Sequence, residues 1–130
     1  MKRLSILLLC VLMLLVGCNK NVENDSTPPE SGYSQISQKQ AKKMMEDTSG
    51  ILILDVREMS QFLQNHISGA VLLPANGITE QSTKTVIPNS ESTILVYGES
   101  AEQSKAAAEI LVTLGYTNVY DFGSIEDWPY

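Results

Sequence analysis

The chain reads as one α/β domain of three layers, a mostly parallel central sheet flanked by helices. Three observations lead there. The runs "ILILD", "AVLLP", "TILVY" and "NVYDF" are short, apolar and rich in β-branched residues, the pattern of strands buried on both faces of a parallel sheet. Segments with helical spacing separate them, which gives a βαβ rhythm. At 130 residues and 43% hydrophobic composition, the chain has room for one compact core and excludes two.

The amino terminus, "MKRLSILLLCVLMLLVGC", has a basic start at Lys2 and Arg3, an apolar run from Leu4 to Val16, and small Gly17 before Cys18. This is the layout of a secretory signal. An uncleaved anchor is the other reading, but the run is well short of the ~20 apolar residues a span needs. "LVGC", Leu15 to Cys18, resembles the lipobox of bacterial lipoproteins, in which the cysteine receives a diacylglyceryl group and cleavage falls just before it. That resemblance implies a signal peptide over 1–17, a lipid on Cys18, and a chain attached by its lipid to the extracytoplasmic face of the cell membrane. Cys10 would leave with the signal and Cys18 would be consumed as a thioether, so the mature chain would carry neither a free thiol nor a disulfide.

The full chain has nine basic and fifteen acidic side chains. Losing Lys2 and Arg3 with the signal leaves seven against fifteen, a net charge of −8. Such a domain has little reason to bind nucleic acid. Its acidity serves solubility or a cationic partner. From Asn19 to Gln35 the text is polar, interrupted by Pro28, Pro29 and Gly32, and reads as a linker; with Cys18 it makes up 18–35. Its length would hold the domain on the order of 20 Å from the membrane.

The domain proper is expected over 36–130. Ser37 and Gln40 read as a capping box for a helix with Ala41, Met44 and Met45 on one face. After "ILILD", the positions Met59, Phe62 and Leu63 repeat the helical spacing, and "AVLLP" is a strand stopped by Pro74. Asn76 to Ser92, broken by Pro88, is expected to be a loop with at most one helical turn. "TILVY" is a third buried-type strand. Ala107, Ile110, Leu111 and Leu114 then form one helix face, Gly115 is the expected stop, and "NVYDF" is the last strand.

In such sheets ligands bind beyond the carboxyl ends of the strands, where a loop entering a helix presents backbone N–H groups. "GESAEQ", Gly98 to Gln103, holds that position. From "ILDVRE", "HISGAVLLP", "ILVYGESAEQSKAAAEILVTLGYTNVYDFGSIEDW" and the opening helix, the domain resembles a rhodanese, the sulfurtransferase fold, over essentially all of 36–130. The resemblance implies a six-residue loop that starts with the catalytic cysteine, has a small residue or glycine midway, and often carries an arginine before the helix. Here those three places hold Gly98, Ala101 and Gln103, while Glu99 and Glu102 add negative charge where an anion would arrive. A hydrogen atom cannot carry a persulfide, so the expected chemistry has no covalent carrier.

Ser100 would need a base, and the only histidine, His66, belongs by the resemblance to a structural turn, with Asn65 before it in place of the usual glycine. Asp55 and Arg57, an acid and anion pair on one reading, are by the same resemblance supports beneath the loop. Trp128 reads as a core aromatic rather than a ligand platform. Glu99 and Glu102 are either solvated or form a site for a protein or cationic ligand. No cofactor or metal is expected. The sequence therefore points to an inactive rhodanese-like lipoprotein acting as a binding or accessory module, set against a sulfurtransferase that works without its own cysteine.

Overall fold

A computed structural model describes residues 32–130. The expected signal, Cys18 and most of the expected linker lie outside the described residues. Among the described residues, no helix is long and apolar enough to cross a membrane.

The elements run β1 (Ser34–Gln35), α1 (Gln38–Asp47), β2 (Leu52–Asp55), α2 (Met59–Gln64), β3 (Val71–Leu72), a single 3-10 turn (Ala75–Gly77), α3 (Glu80–Val86), β4 (Thr93–Gly98), α4 (Ala101–Thr113), β5 (Asn118–Ser124) and a second 3-10 turn (Ile125–Asp127). The five strands form one sheet in the order β1-β5-β4-β2-β3, and every pairing is parallel. Parallel strands need crossovers, and the helices that supply them cover both faces.

Central β4 shows how this follows from sequence. Ile94 through Tyr97 are fully buried, with successive side chains pointing to opposite faces. Ile94 and Val96 join Leu54, Ala107, Ala108 and Leu111 in the core under α3 and α4. Leu95 and Tyr97 join Ala41, Ile67 and Phe122 under α1 and α2. The α1 capping box is present, with the Gln40 amide donating to the Ser37 hydroxyl at 3.1 Å and the Ser37 amide donating to Gln40 Oε1 at 2.8 Å. Gly115 ends the α4 region with φ +96°, a conformation that favours glycine.

Four expectations need correction. The fold begins before Ile36: Ser34 and Gln35 pair with Tyr120 and Asp121, and Tyr33 is buried in the core. A two-residue strand is too short to show alternation in the sequence. The segment expected as a loop contains α3, capped by Thr79 and Ser82. Its sequence, "EQSTKTV", buries only Thr83 within the helix, so it lacks an apolar stripe, and Ile87 just beyond it supplies the anchor. In α2, Phe62 packs on the core while Met59 and Leu63 are 61% and 73% exposed. In α4, Ile110 faces solvent, and Ser104 and Ala108 share the buried face with Ala107 and Leu111.

Candidate functional site

The candidate site is the turn from β4 into α4. The apolar run from Ile94 drives β4 into the middle of the sheet, and its carboxyl end is Gly98, buried and paired with Ser124 after a register shift at Val96. Ser100 then caps α4: its hydroxyl accepts the Gln103 amide at 3.2 Å, and its carbonyl accepts the Ser104 amide at 3.2 Å. One residue, Glu99, separates strand from cap.

Glu99 is held from several sides. Its amide donates to Gln103 Oε1 at 2.9 Å, and its carbonyl accepts the Ser124 hydroxyl at 2.5 Å. Its carboxylate accepts Gln61 Nε2 of α2. Ser124 is itself seated by α1, because Gln38 Nε2 donates to the carbonyls of Phe122 at 2.6 Å and Ser124 at 3.1 Å. A Cβ placed on Gly98 would stand 2.8 Å from Gln103 Oε1, 3.2 Å from the Ser104 amide nitrogen and 3.3 Å from Gln103 Cβ. Glu99, Ser100, Ala101 and Glu102 are exposed.

Beside the loop lies a buried polar cluster. Asp55 at the end of β2 is fully buried and Arg57 is 3% exposed. Arg57 Nη2 reaches Asp55 Oδ2 at 2.7 Å, its Nε reaches Oδ1 at 3.0 Å, and its backbone amide donates to Oδ1 at 2.9 Å. Asp55 Oδ2 also accepts the Tyr97 hydroxyl at 2.6 Å. Arg57 continues to the Asn65 carbonyl at 2.6 Å, and the Ile67 amide donates to the Tyr97 hydroxyl at 3.1 Å. The cluster thus ties β2, the last side chain of β4 before Gly98, and the 65–67 turn together. The bond to Asp55 raises the Arg57 pKa, with burial working against it. Burial, then the bond to Asp55, pushes Tyr97 well above its ordinary value.

Ser100 and His66 are not brought together. His66 stacks on Phe62 with ring centroids 3.9 Å apart, and its Nδ1 lies 2.9 Å from the Phe62 carbonyl oxygen. The Ser100 hydroxyl accepts at the helix cap. Trp128 packs against Phe122 at 5.5 Å and Tyr130 at 5.1 Å. It also lines a groove of about 600 Å³ with Met45, Ile53, His66, Ile67 and Tyr130, on the α1 face, and no residue of 98–103 lines it. The contributions of Gln38, Gln61 and Ser124 were not read from the sequence. Only Ser124 carried a signal, a serine before "IED" that caps the last turn through the Glu126 amide. Among the described residues, no three His, Cys, Asp or Glu side chains are grouped to hold a metal.

The model of the rhodanese-like domain family matches residues 37–129. The chain is 36% identical over 74 residues to the thiosulfate sulfurtransferase PspE of Escherichia coli (strain K12), covering 57% of this chain and 70% of that one. It is 32% identical over 97 residues to the thiosulfate sulfurtransferase GlpE of Coxiella burnetii, covering 74% and 87%. Among solved structures, a rhodanese-like domain from Anabaena superposes with a TM-score of 0.66 at 27% identity, covering 72% of this chain and 71% of that one. A structure described as a rhodanese with anions from E. coli gives 0.55 at 34% identity, covering 59% and 89%.

Proposed function

The chain belongs to the rhodanese-like family, and on that premise we propose that it is a membrane-anchored member without sulfurtransferase activity, an extracytoplasmic binding or accessory module. One observation carries this reading: the place of the nucleophile, by the family resemblance, is Gly98, which has no side chain and whose flank is filled by Gln103. In sulfur transfer, thiosulfate gives its outer sulfur to a thiolate and leaves as sulfite; cyanide then removes that sulfur as thiocyanate. The first step needs a thiolate at the head of the loop. A serine in its place would need a base, and Ser100 has its oxygen committed to the helix cap.

Electrostatics support the same reading. Glu99 and Glu102 are exposed at a loop that would otherwise attract anions through its amides and the helix dipole. A basic peptide or an amine suits that surface better than thiosulfate. The lipid on Cys18 and the linker would present the domain close to the membrane, outside the cytoplasm.

A second reading is favoured by the relatives, which are named thiosulfate sulfurtransferases. Under it the chain is a sulfurtransferase that uses sulfur held elsewhere, such as a partner's persulfide. Thiosulfate-to-cyanide transfer by the purified full chain separates the two. The proposal expects no thiocyanate above the protein-free blank, and steady turnover would overturn it. Labelling with radioactive palmitate tests the anchor: incorporation should vanish in Cys18→Ser, and its absence from the native chain would remove the membrane assignment.

A further inference from the structure

The head of the loop is occupied by a side chain of the loop itself. Gln103 is the third residue of α4, and its carboxamide runs back toward the strand. Its Oε1 accepts the Glu99 amide at 2.9 Å and lies 2.8 Å from where a Cβ on Gly98 would be. We infer that the Gln103 carboxamide is an internal plug: it takes both the backbone donor and the space that a side chain at position 98, or an oxyanion drawn to the helix N-terminus, would require. This rests on reading the loop as a sulfur-transfer site that has lost its thiol.

The surroundings make Gln103 the part that has to give way. The Glu99 carbonyl is fixed by Ser124, its carboxylate by Gln61, and Ser124 by Gln38. The start of α4 is fixed by the Ser100 cap. A terminal carboxamide turns away by rotation about its side-chain torsions, whereas the Ser104 amide, 3.2 Å from the same Cβ position, moves only with the helix. The amide oxygen carries partial negative charge, so it satisfies the Glu99 donor as an anion would and withholds that donor from one. Gln103 therefore determines the specificity of the loop, closing it to small oxyanions. Placing a cysteine at 98 without changing 103 would meet a filled site.

The test compares the purified full chain with Gln103→Ala. Hydrogen exchange at the Glu99 amide should accelerate roughly tenfold in the variant, by loss of one hydrogen bond, while amides in the last two turns of α4 keep their rates. Titration with sodium sulfate should then shift the Glu99 and Ser100 amide resonances in the variant and leave them in place in the native chain. Equal exchange and equal sulfate response in the two proteins would overturn the plug. If Gln103→Ala folds poorly, Gly98→Ala gives a second arm. Its loss of melting temperature should be at least halved when combined with Gln103→Ser, and an undiminished loss would also overturn the inference. Sulfur transfer by the native chain would sink the functional reading and leave these results standing, so the two fail separately.

Discussion

Replacing Arg57 by methionine tests the buried polar cluster beside the loop most severely. Methionine keeps much of the length of the arginine stem and removes the guanidinium. Asp55, fully buried, would keep the backbone amide of Arg57 at 2.9 Å and the Tyr97 hydroxyl at 2.6 Å. It would lose the bonds from Arg57 Nε at 3.0 and 3.2 Å and from Nη2 at 2.7 Å. The Asn65 carbonyl would also lose its partner, loosening the 65–67 turn. Breaking one side of a buried pair costs about 3–5 kcal/mol, because the remaining charge is left without compensation. A domain of this size has only about 5–15 kcal/mol to lose. With a urea slope of about 1–1.5 kcal/mol per molar, the unfolding midpoint should fall by roughly 2–5 M. The double variant Asp55→Leu with Arg57→Met should recover a large part of that loss, since it removes the stranded charge. An Arg57→Met midpoint within about 0.5 M of the native value, at unchanged slope, would refute the argument.

Tyr97→Phe should cost about 1.5–3 kcal/mol at pH 8, through loss of the bond to a buried carboxylate. Burial raises the Tyr97 pKa above its ordinary 10.0, so the folded state keeps the proton after the unfolded chain has lost it. That contribution is therefore complete below pH 10 and lost as pH rises beyond it; the gap between the native chain and the variant should narrow above pH 10 by about 1.4 kcal/mol per unit, and a constant gap in urea melts at pH 8 and 11 would contradict this. Ser100→Ala, which removes the α4 cap, should destabilise by about 1 kcal/mol in the same melts, and a neutral result would show that the cap contributes nothing. Leu111→Ala, in the core under α4, should cost about 2–5 kcal/mol, and a loss below 1 kcal/mol would mean that α4 packs otherwise.

What the sequence disclosed follows from how strongly each segment repeats. The apolar runs of β2, β4 and β5 announce buried parallel strands, and the Ser37–Gln40 box announces α1 with its cap. β1 stayed hidden because two residues carry no period, although Tyr33 beside them is a core residue. α3 stayed hidden because its surface is polar on nearly every side and its capping partner is a serine where glutamate or glutamine is usual. Met59 and Leu63 fit a helical period yet lie in solvent, since this six-residue helix packs on the core only through partly buried Phe62. At the site, the order of residues displayed the missing side chain of Gly98 and the charges of Glu99 and Glu102. It did not display the return of Gln103 onto the Glu99 amide, nor the hold of Gln38 and Ser124 on the loop. Those depend on rotamers and on partners 84, 86 and 25 positions away.

What has to hold is that no side chain of 36–130 takes up sulfur from thiosulfate. Intact-mass spectrometry of the purified full chain after incubation with excess thiosulfate, without cyanide, tests it directly, beside Gly98→Cys combined with Gln103→Ala under the same conditions. The native chain should keep its mass, and the double variant should gain one sulfur atom that cyanide removes. A cyanide-reversible gain of one sulfur atom on the native chain would contradict it.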